Sequence, residues 1–430
     1  MNTLTVLYNS LFLIITTVLI YKPAKRIVQY QSQTTADYVI VLVYIFNCIP
    51  VLLDLVIGVP QYMSWYSAFQ ESLTDEVTCL LYNAYNVIVI MVLCHYAKKR
   101  SLMYSDDDSM SSSENTDSLV LSRWRTPVID IIFIILPLAY AYIKCGITVF
   151  VGYATLSQRG VNSDVVSNIN QLIMVGLFFC TTRYFSKRRS YIATLGLITY
   201  SLLAIWINGK RYIIVTFLLM VFYLYQMRCI GEKKRANLKV VLPVLAIGLV
   251  AFSMYYILNV KITSTLDTVY SSLRIDFGRD DVTKFVINKV LLKGEAILEY
   301  PGQTFLSAIF MLVPRSIWPT KPYPHYRYLT AAIFGTTIYN IPSGMTPSIF
   351  EMSICNFGWV GIISTIFVLI CFCHFADQSS RLENKLLLLL IVTNVLTQSL
   401  DAALSLIIVL MLNVILGRIR FTFGNMNRVR

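Results

Sequence analysis

The residues best suited to chemistry lie in one run, Pro314-Arg315-Ser316-Ile317-Trp318-Pro319-Thr320-Lys321-Pro322-Tyr323-Pro324-His325-Tyr326-Arg327. Four prolines in eleven residues forbid a helix and stiffen an extended path. Arg315, Lys321 and Arg327 interleave with Trp318, Tyr323, Tyr326 and Tyr328. Guanidinium and ammonium groups clamp phosphate, and aromatic faces pack against sugar rings. The same mixture also suits an anchor in the headgroup layer, where Trp, Tyr and Arg concentrate. Two smaller cationic sites join it. Asn208-Gly209-Lys210-Arg211 is a tight turn between apolar spans, read as a phosphate contact or an interfacial cap. Arg159-Gly160, in the loop 152–163, is a weaker version.

For acid–base work the chain offers Glu351 and His325, with Asp276, Asp280, Asp281, Glu295, Glu299, Glu71, Asp75 and Glu76 nearby in sequence or in an earlier loop. Spacing does not choose among the loop carboxylates, and most read as solvated. Glu351 stands out because it precedes an apolar span by a few residues, and a carboxylate entering a membrane helix is a functional candidate. Asn394, Gln398, Asp401 and Ser405 would share one face of a continuous helix and hydrogen-bond between helices. Cys371, Cys373 and His374 lack zinc-site spacing. The nine cysteines lie in or beside apolar spans and read as small buried hydrophobes. No metal and no cofactor is expected.

The elements that must position these residues are membrane helices. Of 430 residues, 56% are hydrophobic and 14% charged, whereas a soluble domain carries about 25% charged residues. A soluble fold of this size cannot hide so much apolar side chain. The apolar runs are also too long and unbroken for barrel strands. The expected class is all-α, a polytopic transmembrane helical bundle of about eleven spans (range 10–12) with one large outer loop. At about 20 apolar residues per crossing, the spans fall at 3–21, 38–59, 78–97, 127–151, 165–185, 190–207, 212–229, 240–260, 354–375, 386–400 and 402–417. The last pair contains neither Gly nor Pro; one continuous helix would be too long, so Asp401 is read as marking a hairpin. No cleavable signal precedes the first span.

The net charge is +13. Most basic residues flank apolar spans, so anionic lipid and anionic substrates are the expected partners, and nucleic acid is not. With the N-terminus outside, the inner loops collect 23 of the 36 basic residues. Residues 1–260 then form a bundle of eight spans, 98–126 an inner linker that is acidic and Ser-rich, 261–353 the large outer loop, and 354–430 the C-terminal spans. That outer loop holds nine Lys and Arg, which points to an anionic ligand outside the membrane.

Tyr300-Pro-Gly-Gln303, Val313-Pro-Arg-Ser-Ile-Trp-Pro-Thr-Lys-Pro322, Gly344-Met-Thr-Pro-Ser-Ile-Phe-Glu351 and Asn356-Phe-Gly-Trp-Val-Gly361 together resemble the Wzy-type O-antigen polymerases. The likeness is sharp over about residues 260–361 and architectural elsewhere. The chain departs from that family in its span count and in lacking paired Arg-rich repeats in two outer loops. The resemblance implies a multi-pass enzyme of the bacterial inner membrane whose large loop is periplasmic. It would join oligosaccharide repeat units carried on undecaprenyl diphosphate, beside membrane lipid and with a chain-length regulator and a flippase of the same pathway. Glu351 or His325 would serve as base, and Arg159, Lys210, Arg211, Arg315, Trp318, Lys321 and Arg327 would bind substrate. A lipid-linked oligosaccharide flippase and an O-antigen ligase remain alternatives; a flippase would more often show two similar halves and short loops.

Overall fold

A computed structural model describes residues 2–29, 33–62, 66–107, 121–122, 124–150, 160–161, 163–186, 190–208, 211–231, 270–271, 274, 278–311, 313–341 and 344–426. All regular structure among them is helical, with no strand. Among the described residues seven helices are long and apolar enough to cross a membrane: Thr3–Gln29, Thr35–Val56, Glu76–Leu102, Pro127–Cys145, Val165–Ser186, Tyr212–Ile230 and Ile349–Gln378. Tyr191–Ile207 and Leu400–Leu416 are apolar but shorter. The chain is therefore a helical protein of multi-pass membrane character. The expected span 240–260 lies outside the described residues.

The break expected near Asp401 is present. A helix ends at Thr397, a 3-10 turn covers Leu400–Ala403, and the next helix starts at Leu404. Asn413 Nδ2 donates to Asn384 Oδ1 at 3.2 Å, so the chain folds back on itself about that break. Asn394, Gln398, Asp401 and Ser405 consequently do not share one continuous helix face. Ser405 does bond between helices, donating to the Gln171 carbonyl at 3.1 Å.

The described chain falls into two compact units. One comprises Met1–Ser112, Ala236–Cys373 and Val395–Asp401; the other comprises Ser113–Arg235, His374–Asn394 and Ala402–Arg430.

In the first unit the helices Thr3–Gln29, Thr35–Val56 and Glu76–Leu102 pack together. Buried amides join them: Asn83 donates to Asn9 at 2.7 Å and Asn47 to Asn86 at 2.8 Å. Such bonds hold helices together where apolar side chains gain nothing from leaving lipid. Pro50 interrupts the second helix. It has no N–H to give the Phe46 carbonyl, and the turn Tyr44–Cys48 widens to π geometry just before it. The freed Phe46 oxygen accepts the Arg279 backbone N–H at 3.3 Å. A proline inside a span thus supplies the docking point for a segment more than two hundred residues later. That segment, Asp280–Val286 running on as a π turn over Ile287–Leu292, packs against Ser67–Thr74, Glu76–Asp107 and Ile349–Phe357. Every residue from Asp280 to Asn288 is buried. Part of the segment 261–353, expected as an outer loop with mostly solvated carboxylates, therefore contributes to the core here.

In the second unit the helix Pro127–Cys145 shows how sequence sets both ends. Thr126 caps it by accepting from the Ile129 N–H at 3.3 Å, Pro127 occupies the first turn, and Gly146 ends it at φ +70°. Arg125 is fully buried at its base, pairing with Asp130 at 2.8 Å and with Glu383. Its guanidinium carbon lies 4.3 Å from the Phe179 ring centroid. Glu383 also accepts from Ser122 Oγ at 2.6 Å. The end of the acidic linker is thereby clasped to the C-terminal hairpin.

Candidate functional site

The proline-rich run forms a rigid cationic frame. Its turns close locally, with Ile317 N and Trp318 N bonding the Pro314 carbonyl at 3.0 and 3.1 Å and Lys321 N bonding that of Trp318 at 3.1 Å. Arg315 Nη2 and Ser307 Oγ both donate to the Pro322 carbonyl at 3.1 Å. Tyr323 N donates to Tyr328 Oη at 3.3 Å, and that hydroxyl also accepts from Gln303 Nε2 at 3.0 Å. The frame is thus pinned to the short helices Gln303–Ile309 and His325–Phe334 on either side.

The cations meet at one aromatic ring. The Arg315 guanidinium carbon lies 3.8 Å from the Tyr323 ring centroid, and that of Arg327 lies 4.9 Å from it. Two like charges drawn to one ring are mutually repulsive, and the ring quadrupole offsets only part of that. Lys321 donates to the carbonyls of Met311 at 3.2 Å and Val313 at 2.9 Å. Burial, and then the like charge of Arg315, pull its ammonium below the ordinary range. Neither Arg315 nor Lys321 has a carboxylate within ion-pair distance among the described residues. All three cations are half-buried. Trp318 packs edge-on against Phe310 at 5.6 Å and donates to Thr320 at 3.0 Å. A preorganised, positively charged surface of this kind binds an anion with little ordering cost.

The structure gives the two acid–base candidates different settings. Glu351 is fully buried in the first turn of the helix Ile349–Phe357. Its carboxylate accepts from Ser348 N, Ser348 Oγ and, at 3.1 Å, Thr283 Oγ1. It closes a capping box and ties the Asp280–Val286 helix to the start of the span. His325 is 2% exposed, and neither ring nitrogen has a hydrogen-bond partner among the described residues. Burial pushes its pKa down to about 3, so the imidazole is neutral. Arg159 and Lys210 lie outside the described residues. Arg211 opens the helix Arg211–Gly231, and only its backbone is described.

A buried ion network, not evident from sequence spacing, lies elsewhere in the first unit. Arg274 grips Asp280 through both terminal nitrogens, at 2.7 and 2.9 Å, and also reaches Asp54 at 3.1 Å and Asp281 at 3.2 Å. Lys284 adds a bond to Asp280 at 2.9 Å, with its nitrogen 5.2 Å from the Tyr82 ring centroid. Tyr62 donates to Asp281, and Tyr270 donates to the Gly58 carbonyl at 3.0 Å. Three carboxylates thus face two cations. The charges split the neighbouring aspartates. Burial raises Asp281, and the negative charge of Asp280 raises it further, to about 7. Arg274 and Lys284 overcome the burial of Asp280 and hold it well below the ordinary range. One signal could have exposed this network: Asp54 is a lone carboxylate inside an apolar span.

Among the described residues no group of three or more His, Cys, Asp or Glu could hold a metal ion. No family model, no curated protein and no solved structure matches this chain.

Proposed function

We propose that this chain is a membrane-embedded polymerase that joins oligosaccharide repeat units carried on a polyprenyl diphosphate. The observation that carries the reading is the frame 314–327, in which Arg315 and Arg327 share the Tyr323 ring and Lys321, held on the Met311 and Val313 carbonyls, adds its charge near Arg315. The resemblance of the same run to Wzy-type polymerases supports it. A glycan leaving undecaprenyl diphosphate expels a diphosphate, which needs no general acid but does need its charge held. Fixed cations do this well where water is partly excluded. The acceptor hydroxyl must lose a proton. Of the two base candidates, His325 is neutral and buried, with ring nitrogens unpaired among the described residues, so it can take the proton only once substrate reaches it, while Glu351 has both oxygens engaged in capping and acts in this reading as a positioning group.

The test is the surface-glycan gel of a strain lacking the chain. A polymerase deletion leaves surface glycan capped with one repeat unit. A flippase deletion removes even that unit, and a ligase deletion leaves unattached polymer; either pattern would end the polymerase reading.

A further inference from the structure

The cationic frame borders an exposed apolar surface of the first unit. Phe305 and Ile309 stand one turn apart on the helix Gln303–Ile309 and so share a face. Phe305 stacks on Phe357 at 5.4 Å. Gly302 N donates to the Asn356 carbonyl at 3.3 Å and Thr304 N to Asn356 Oδ1 at 3.0 Å. These contacts tie the short helix to the chain just ahead of Gly361. Large apolar side chains stand exposed on that assembly and on the turn whose Trp318 packs against Phe310: Ile309 is 72% exposed, Ile317 75%, Trp359 54% and Val360 63%, with the small polar Ser316 and Thr320 exposed beside Ile317. Soluble surfaces rarely leave such a patch in water.

What covers the patch follows from its continuity. Val360 leads directly into the helix Gly361–Gln378, where Ile363 and Phe367 are again largely exposed. This helix belongs to the candidate span Ile349–Gln378, which is long and apolar enough to cross a bilayer, so its exposed apolar stripe suits acyl chains. Every exposed residue from Phe357 to Phe367 is apolar, so the lipid-facing stripe runs into the patch unbroken. Beside Ile317 stand Arg315 and Lys321, cations without carboxylate partners among the described residues and therefore complementary to lipid phosphate.

We propose that residues 305–311 and 313–321, with Phe357–Val360, are seated in the bilayer interface, with Ile309, Phe310 and Ile317 among the acyl chains and Arg315 and Lys321 at phosphate level. The helix Gln303–Ile309 is too short to span and instead lies beside the span as a wedge. The inference goes beyond the polymerase reading: it holds whatever reaction the frame serves, and it sets the frame at the depth where a lipid-linked diphosphate travels.

The test places an environment-sensitive fluorescent residue at Ile317 or, in a second protein, at Thr336, which is exposed on a polar turn. Each full-length protein is reconstituted in nanodiscs whose acyl chains carry bromine. Bromolipid quenching at position 317 should be several times that at 336, and aqueous iodide should show the reverse order. A label at Ile309 repeats the readout if the one at 317 disturbs folding. Iodide quenching at 317 equal to that at 336 would overturn the proposal. Shielding of 317 from both quenchers would also overturn it, by making the cover a protein. Quenching reports depth alone, so its outcome is independent of the glycan ladder.

Discussion

Removing Arg274 tests whether the buried network holds the Asp280–Leu292 segment on the bundle. The guanidinium makes bonds to Asp280, Asp54 and Asp281 and is 1% exposed at its side chain. Arg274→Met keeps much of the apolar stem and leaves three carboxylates facing Lys284 alone. Removing one partner of a buried ion pair costs about 3–5 kcal/mol. Part of that is relieved, because Asp281 already sits at about 7 and takes up a proton when its cation is lost. The expected loss is therefore near the lower end, about 3 kcal/mol. At roughly 2–4 °C per kcal/mol for a domain of a few hundred residues, the melting temperature should fall by about 6–12 °C. The assay is tryptophan-fluorescence melting of the full-length protein in detergent micelles. Adding Asp280→Leu removes the strongest stranded charge and should recover about half of the loss, since apolar replacements of a whole buried pair are often tolerated. A single variant melting within about 2 °C of wild type, given that per-kcal scale, would refute the reasoning. So would a double variant that is worse than the single one.

Other outcomes follow from the same contacts. Asp281 has a folded pKa of about 7 against an ordinary value of 3.8, so the folded chain keeps a proton that the unfolded chain has already lost. Stability should fall as pH rises from about 4 to about 7 and level off above, and Asp281→Asn should flatten that slope in melts taken across the range. Gly361→Ala should be severely destabilising, because its Cβ would collide with the Ser353 carbonyl oxygen, and backbone cannot swing aside; near-normal amounts of folded protein in membranes would contradict this. Arg315→Ala should slow polymerisation by about thirtyfold to thousandfold at equal membrane levels, from about 2–4 kcal/mol of lost charge-assisted binding, and Arg315→Lys should rescue it only partly. Glu351→Gln turns one capping acceptor into a donor facing Ser348; it should cost about 0.5–2 kcal/mol of stability and leave polymerisation per folded molecule unchanged, whereas loss of polymer at normal stability would make Glu351 the base.

Some of this protein was settled by sequence alone. Helical class followed from the length of the apolar runs, since an unbroken run of about 20 residues satisfies its backbone in lipid only as a helix. The absence of helix from Pro314 to Pro324 was legible because proline acts on its own backbone and on the residue before it, but the extended path expected there closes into turns at Pro314 and Trp318. The break near Asp401 was legible because hydrocarbon thickness limits a span. Tertiary structure decided what depended on distant partners. Tyr323 became the common platform for Arg315 and Arg327 only once the turns closed. Glu351 became a cap because Ser348 and Thr283 both turn toward it. Asp280 and Asp281, read as solvated loop carboxylates, entered the core because Arg274 and Lys284 arrive beside Asp54. The Phe46 carbonyl that receives Arg279 is vacant because of Pro50, a local fact, but nothing local to Pro50 says which later segment will occupy it. A charge in isolation reads as solvated, and only the fold brings up the counter-charges that make its burial tolerable.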